Sequence, residues 1–279
     1  MRSDIGAGRG LPTATKLHVE DTGGGGRPVV LIHGWPLSGQ SWSAQVPVLE
    51  GAGYRVITYD RRGFGRSDKP MTGYGYNTLA DDLHNLIGDL DLQDVTLVGF
   101  SMGGGEVARY CAVHGCERLR SVVFASAITP FMLQTEGNPD GPLSKTDAAA
   151  MSAQLAADSD TFYDEFTREF FTAGGELRVT ESERQQAIDQ CNQASKTAAL
   201  ACMTSFGTTD LRDDIESVTV PALVLHGDSD ATVPFEGSGK RTHEAIEGSE
   251  LYLIEGGPHG CNVSHADEFN RVLLDFLAD

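Results

Sequence analysis

Three side chains in this sequence could together carry out nucleophilic catalysis: Ser101, Asp230 and His259. Ser101 is the centre of a Gly-x-Ser-x-Gly pentapeptide at 99–103, and His259 lies in a stretch rich in glycine and proline at 256–260. In such a set the imidazole takes the proton of the serine hydroxyl, while the carboxylate orients the imidazole and stabilises its charged form. The sequence therefore predicts Ser101 as the nucleophile, His259 as the general base and Asp230 as the orienting acid.

The intermediate of such a reaction carries an oxyanion, which needs hydrogen-bond donors close to it. Met102 directly follows the serine at the predicted start of a helix, where the helix dipole favours negative charge. Residues 33–36 read His-Gly-Trp-Pro and offer the Trp35 N–H as a second donor, because Pro36 has no N–H. We expect Trp35 and Met102 to form the oxyanion hole and His33 to brace the loop through a structural hydrogen bond.

Other residues compete for these roles. Asp228 also follows the apolar run that precedes Asp230. Asp230 lies further past that run and is favoured as the acid, while Asp228 is expected to hydrogen-bond the loop backbone. Cys261 is an alternative nucleophile, but no separate base lies near it in the sequence. The histidines lack a metal-ligand spacing such as His-Glu-x-x-His, so their pattern predicts no metal site.

The elements that must position these residues can be read from the hydrophobic pattern. Short apolar runs predict buried parallel strands, and they lie at 28–32, 54–59, 95–99, 119–124, 222–226 and 251–254. Helical periodicity appears at 78–90, with Thr78 as its N-cap, and again at 102–114 and 267–277. The alternation of strands and helices predicts an α/β protein with a mostly parallel sheet between two layers of helices.

This alternation divides the chain into three predicted parts. Residues 1–15 are expected to be a flexible tail, and residues 16–128 together with 213–279 are expected to form the α/β core. Residues 129–212 contain Pro/Gly turns and helical patterns at 147–157, 162–171 and 180–205, but no buried-strand run. We expect this insertion to be a helical cap that shapes a substrate pocket.

Aromatic and aliphatic side chains are the candidates for the pocket wall. The predicted substrate contacts are Trp35, Phe131, Phe162, Phe166 and Val233, with Phe171 and Phe206 as further candidates. Such a wall would suit small aliphatic or aryl acyl groups, although an aromatic residue of this kind is more often part of the cap core than a substrate contact.

The formal net charge is −19. A field of this sign repels nucleic acid and anionic membrane surfaces, so neither is an expected partner.

The N-terminus has no apolar segment typical of a secretory signal, and no apolar run approaches the ~18 residues that span a membrane. The cysteines are odd in number and irregularly spaced, at Cys111, Cys116, Cys191, Cys202 and Cys261. These features favour reduced thiols and a cytoplasmic location.

Longer segments around the candidate residues resemble a known family. Residues 99–110, 33–42, 206–211 and 258–260 resemble the α/β-hydrolase superfamily and, within it, the cofactor-free bacterial haloperoxidases (perhydrolases) and aryl esterases. The resemblance extends over roughly 250 residues, and the long match around Ser101 is more specific than the pentapeptide alone.

This resemblance implies a helical cap on an α/β-hydrolase fold and carries the triad over to Ser101, Asp230 and His259. It implies no metal, no haem and no flavin. It also implies that esters are hydrolysed through an acyl-enzyme, and that hydrogen peroxide can replace water as the acyl acceptor and leave as a peracid. Pro36 occupies the position where members with good perhydrolase activity carry proline, either to direct the Trp35 carbonyl towards peroxide or simply to stiffen the loop.

The expected function is therefore a carboxylic-ester hydrolase with promiscuous perhydrolase activity. Dehalogenases and epoxide hydrolases of this fold use an aspartate nucleophile, so Ser101 argues against both. Lactonase, amidase or C–C bond hydrolase activity stays open, because the same triad serves all three. A ligand-binding receptor on a hydrolase scaffold is the non-enzymatic alternative. The sequence does not determine the oligomeric state, so a homo-oligomer stays open.

Overall fold

The computed structural model describes residues 15–278 and is built around a seven-stranded sheet. The tail predicted for residues 1–15 lies outside the described residues except for residue 15. The strands are β1 (His18–Asp21), β2 (Pro28–Ile32), β3 (Arg55–Asp60), β4 (Val95–Phe100), β5 (Leu119–Ala125), β6 (Thr172–Ala173), β7 (Glu176–Leu177), β8 (Ala222–Gly227) and β9 (Glu250–Ile254). The large sheet has the order β1-β3-β2-β4-β5-β8-β9. Within this large sheet, only β1 runs antiparallel to the strand beside it, β3.

Helices cover both faces of this sheet. They are α1 (Val46–Gly51), α2 (Tyr76–Asp89), α3 (Met102–His114), α4 (Lys145–Ala157), α5 (Ser159–Phe170), α6 (Glu181–Cys191), α7 (Lys196–Thr208), α8 (Arg212–Ile215), α9 (Gly239–Ala245), α10 (Cys261–Ser264) and α11 (Ala266–Ala278). None of the helices in this described part of the chain combines the length and apolarity needed to cross a lipid bilayer.

The two faces of the sheet form two separate apolar clusters. On β2, Val29 and Leu31 point into the cluster that also contains side chains of α1 and α11. Val30 and Ile32 point into the opposite cluster, which contains side chains of α2 and α3. Because both faces are covered, the central strands are apolar at nearly every position, which explains why their sequences appear as continuous apolar runs.

The structure corrects two of the predicted helix boundaries. Helix α2 begins at Tyr76 with Gly75 at its N-cap, and not at Thr78. The helical stretch predicted at 180–205 consists of two helices, α6 and α7. The side chain of Ser195 accepts a hydrogen bond from the Ala198 N–H and caps α7, so the chain re-enters a helix there instead of continuing one.

Residues 129–212 contribute no strand to the large sheet. They contain α4 to α7 and one element that the sequence analysis missed, the hairpin of β6 and β7. Its turn consists of Gly174 and Gly175, both with positive φ. Two-residue strands are too short to produce a recognisable alternation of apolar and polar residues.

Two glycines let α3 pack directly against the sheet. A Cβ atom on Gly99 would lie 2.5 Å from the Gly103 carbonyl oxygen, and one on Gly103 would lie 2.6 Å from the Ile32 carbonyl oxygen. In both cases the obstacle is backbone, which cannot swing away as a flexible side chain would. The close crossing of β4, β2 and α3 therefore depends on the absence of side chains at these two positions.

We predict that Gly103→Ala will lower the free energy of unfolding by about 1–3 kcal/mol, because the new methyl group overpacks this crossing. Gly88→Ala is the matched control, since Gly88 is an exposed position of α2 with no atom within 4 Å of a built Cβ. That control should be neutral or stabilising by about 0.5–1 kcal/mol. Urea denaturation of both variants measures the difference, and equal stabilities would contradict this account of the crossing.

Candidate active site

Ser101 lies at the sharp turn between β4 and α3. Its backbone has φ 54° and ψ −118°, a conformation that residues with side chains rarely adopt. The hydrogen bonds Ser101 N–H to Ala125 O (2.9 Å) and Gly104 N–H to Ser101 O (3.0 Å) hold this turn. The strained turn raises the serine side chain above the carboxyl edge of the sheet, where the loops after neighbouring strands also end.

The structure brings Ser101, His259 and Asp230 into one hydrogen-bonded series. The Nε2 atom of His259 lies 2.9 Å from the Ser101 Oγ, and the Nδ1 atom lies 2.7 Å from an Asp230 carboxylate oxygen. A carboxylate only accepts, so we assign the ring proton to Nδ1, which leaves Nε2 free to accept from the serine hydroxyl. All three residues are buried.

Asp230 is held as a carboxylate by its surroundings. One of its oxygens accepts the Val233 N–H at 2.7 Å, and the other contacts His259 and, at 3.3 Å, the Nε2 atom of His226. Burial alone would raise the pKa of Asp230, but the attraction to His259 and the hydrogen bonds from His226 and His259 outweigh it and lower the pKa to about 2. The side chain therefore carries a negative charge at neutral pH.

Asp228, the competing acid, takes a different role. It is exposed, and its carboxylate accepts the Gly256 N–H at 2.8 Å. This bond joins the loop after β8 to the loop after β9, on which His259 lies. Asp228 thus bonds the loop backbone, as its position in the sequence suggested.

His33 orients the peptide that carries the Trp35 N–H. The Arg61 backbone N–H donates to His33 Nε2 at 2.9 Å, so the proton of the ring must lie on Nδ1, 2.8 Å from the Gly34 carbonyl oxygen. That carbonyl also accepts the Leu37 N–H at 3.1 Å. In a trans peptide the N–H points opposite to the C=O, so the Trp35 N–H points away from these two donors.

The charge state of His33 suits this arrangement. Complete burial and the nearby positive charge of Arg61 hold the pKa of His33 well below its usual range, so the ring remains neutral. The loop also lies directly beside Ser101, because a Cβ atom on Gly34 would lie 3.1 Å from the Ser101 Cβ.

A buried ion pair behind this loop was missed by the sequence analysis. The Arg61 guanidinium pairs with the Glu106 carboxylate of α3 and donates to the His33 carbonyl at 2.6 Å. The hydroxyl group of Tyr59 donates to the same carboxylate at 2.8 Å. A lone glutamate among the small and apolar residues near the start of α3 is the sequence signal that could have revealed this pair.

A cavity of about 60 Å³ opens onto Ser101 and His259. Three of the predicted contacts line it, namely Trp35, Phe166 and Val233, as does Phe206. The rest of its wall consists of Ile128, Met132, Leu143, Met151 and Thr232, which the sequence analysis did not name. This wall is almost wholly apolar.

Three aromatic residues proposed as contacts do not line this cavity. Phe131 packs its ring against the Arg212 guanidinium, whose central carbon lies 5.6 Å from the ring centroid. Phe162 lies edge-on to Trp35 and stacks on Phe166, so it supports the wall from behind. Phe171 packs against Phe170, whose ring contacts His259. Aromatic residue type alone does not distinguish a wall residue from the layer behind it.

Cys261 is not placed to act as a nucleophile. It is fully buried, and burial raises the pKa of its thiol to about 12. All five cysteines are free thiols. Within the residues that the structure describes, no group of three or more His, Cys, Asp or Glu side chains is arranged to hold a metal ion.

The chain matches a known family over most of its length. Residues 27–266 fit the model described as the alpha/beta hydrolase fold. The chain therefore belongs to the α/β-hydrolase fold family, which confirms the fold class predicted from the sequence.

Individual proteins that resemble this chain give a more specific comparison than the family model does. The chain is 42% identical to the non-heme chloroperoxidase CPO-A1 of Kitasatospora aureofaciens, over 91% of this chain and 93% of that protein. It is 34% identical to a bifunctional esterase/perhydrolase of Acinetobacter calcoaceticus, over 94% of this chain and 95% of that protein. Among solved structures, a bromoperoxidase from Bacillus anthracis superposes with a TM-score of 0.93 at 54% identity, covering 95% of this chain and 96% of that one. The resemblance to haloperoxidases and esterases is thereby confirmed.

Proposed function

We propose that this protein is a serine hydrolase that cleaves small carboxylic esters through an acyl-enzyme, with perhydrolase activity as a second outcome of the same intermediate. The observation that carries the proposal is the unbroken series of hydrogen bonds from Ser101 through His259 to Asp230, which ends at an apolar cavity. The names of the relatives, a chloroperoxidase and an esterase/perhydrolase, support both outcomes.

In the first half-reaction Ser101 Oγ attacks the ester carbonyl while His259 Nε2 takes its proton. The imidazole becomes positively charged, and the ionised Asp230 stabilises that charge through the hydrogen bond to Nδ1. The same proton then passes from Nε2 to the departing alcohol oxygen, which leaves the acyl group on Ser101.

The negative charge on the tetrahedral intermediate requires donors that are already in place. The Met102 N–H is the first of α3 and has no carbonyl within the helix to bond, and the Trp35 N–H is oriented by the bonds that hold the Gly34 carbonyl. Preorganised donors of this kind each contribute about 10²–10³ in rate. We assign the oxyanion hole to these two N–H groups.

In the second half-reaction the acyl group leaves Ser101 with a small nucleophile. Water, deprotonated by His259, releases the carboxylic acid. Hydrogen peroxide in the same position releases a peracid, which can then oxidise halide ions away from the enzyme. Pro36 supports the second route, because its ring restricts the backbone of Trp35 and so directs the Trp35 carbonyl. None of these steps calls for a metal ion or an organic cofactor.

Residues 129–212 are proposed to act as a cap over this site. Five of their side chains, Met132, Leu143, Met151, Phe166 and Phe206, line the cavity, so the cap determines its size and apolar character. We also propose a reducing, cytoplasmic location, which the five free thiols support.

We predict that Ser101→Ala will lower kcat for p-nitrophenyl acetate about 10⁴-fold or more, because the acyl-enzyme can no longer form. Perhydrolysis in the presence of hydrogen peroxide should fall by a similar factor, since both reactions share that intermediate. Initial rates with and without peroxide measure both effects. Ser43→Ala, which changes an exposed serine, is the control and should retain wild-type rates.

Near-normal ester turnover by the Ser101→Ala variant would refute the assignment. A wild-type protein that becomes acylated on Ser101 once and then releases no product would instead favour the ligand-binding receptor. Comparing p-nitrophenyl esters with lactones and amides under the same conditions separates the remaining hydrolase alternatives.

The small cavity also predicts a preference for short acyl chains, with acetate and butyrate esters turned over faster than octanoate. Met151→Ala should raise the octanoate-to-acetate ratio of kcat/KM about tenfold, because room for one or two extra methylene groups gives about 0.8 kcal/mol each. Met71→Ala changes a methionine that is 75% exposed and should leave the ratio unchanged. An unaltered ratio in the Met151→Ala variant would contradict the assignment of this cavity to the acyl group.

A further inference from the structure

A second histidine, His226, contacts the same carboxylate oxygen of Asp230 as His259 does. It lies on β8, one residue before the end of the strand, and is completely buried. Its Nε2 atom lies 2.8 Å from the Val233 carbonyl oxygen and 3.3 Å from the Asp230 carboxylate oxygen that also binds His259. His226 does not line the cavity, so it has no direct contact with substrate.

The protonation of this ring follows from its contacts. Both atoms near Nε2 are acceptors, so Nε2 must carry a proton. The Nδ1 atom is buried without a hydrogen-bond partner and faces Gly239, where an added Cβ would lie 2.6 Å away. A proton on Nδ1 would be a buried donor with nothing to bond, which is unfavourable. We therefore assign His226 as a neutral imidazole with its proton on Nε2.

This proton and the Val233 backbone hold Asp230 from two directions. The Val233 N–H donates to one carboxylate oxygen, while the Val233 carbonyl accepts from the His226 ring that also contacts the other oxygen. The carboxylate, the 230–233 loop and the imidazole thus form a closed ring of contacts. One side of that ring belongs to β8, a strand inside the large sheet that has a paired strand on each side.

We propose that His226 is a positioning residue that fixes the Asp230 carboxylate in the orientation that His259 requires. This inference rests on the proposed role of Asp230 in catalysis. Without the Nε2 donor, the Asp230 oxygen that faces His259 would lose one of its two donors. The buried Val233 carbonyl would lose its hydrogen-bond partner. The carboxylate could then rotate away from the His259 Nδ1 proton, so that fewer molecules hold the base in its productive orientation.

Two replacements of His226 separate this role from simple packing. His226→Leu removes the donor but keeps an apolar side chain of moderate size, while the amide nitrogen of His226→Gln can replace the Nε2 donor. We expect His226→Leu to lower kcat for p-nitrophenyl acetate about 10- to 100-fold, with KM changed less than about twofold. His226→Gln should restore kcat to within about threefold of the wild type.

A third variant displaces the His226 imidazole without replacing the residue. Gly239→Ala would place a methyl group against Nδ1 and displace the imidazole from Asp230. We expect kcat to fall about 3- to 30-fold, again with little change in KM. Gly51→Ala, where a built Cβ meets nothing within 4 Å, is the matched control and should retain the wild-type kcat. If His226→Leu does not fold, as judged by circular dichroism, the Gly239→Ala and His226→Gln variants decide the question.

The inference is overturned if folded His226→Leu keeps a kcat within about twofold of the wild type, if His226→Gln is as slow as His226→Leu, or if KM changes in place of kcat. It is also overturned if Gly239→Ala retains the wild-type kcat. The rate at which a phosphonate ester labels Ser101 should fall in parallel with kcat, because that reaction also needs the oriented base. The Ser101→Ala variant distinguishes a failure of the His226 inference from a failure of the proposed function. An active Ser101→Ala enzyme would refute the proposed function itself, whatever the His226 variants do.

Discussion

The whole site depends on one imidazole, that of His259, which must contact Ser101 and Asp230 at the same time. The two contacts, 2.9 Å and 2.7 Å, involve opposite nitrogen atoms of a rigid ring, so neither partner can move without breaking one of them. The three residues come from loops that follow different strands, and only the parallel sheet brings those loops to the same edge. The sheet, the strained turn at Ser101 and the bonded loops after β8 and β9 can all be understood as ways of keeping this ring in place.

A second constraint is the number of polar groups that this arrangement buries close to an apolar cavity. Buried polar atoms are costly unless they are bonded, and here most of them are. His33 is neutral and bonded at both nitrogens, Arg61 is paired with Glu106, and Asp230 accepts from three donors. The Nδ1 atom of His226 is an exception, and it can remain unbonded at low cost only as the unprotonated nitrogen of a neutral ring. The network thus keeps two imidazoles uncharged while one carboxylate remains ionised.

The strands, the turn at Ser101 and the identity of the triad candidates could be predicted from the sequence because they rest on local constraints. A buried parallel strand must be apolar throughout, and the crossing of β4 with α3 admits only glycine at 99 and 103. The start of α2 was misplaced, and the break between α6 and α7 was not predicted. Both depend on which residue becomes the N-cap, and tertiary packing decides that. The cavity wall was only partly predicted, since Ile128, Met132 and Met151 resemble ordinary core residues in the sequence, and only the packing of residues 129–212 brings them to the cavity. The contact of His226 with Asp230 joins the end of β8 to the loop that follows it, and no sequence periodicity reports it.

The most direct test is a crystal structure of the protein after reaction with a phosphonate ester that mimics the tetrahedral intermediate. The account predicts phosphorus bonded to Ser101 Oγ, with one phosphonyl oxygen about 2.7–3.1 Å from the N–H groups of both Trp35 and Met102. His259 should remain between the adduct and Asp230. An adduct on another residue, or a phosphonyl oxygen that contacts neither N–H group, would contradict it.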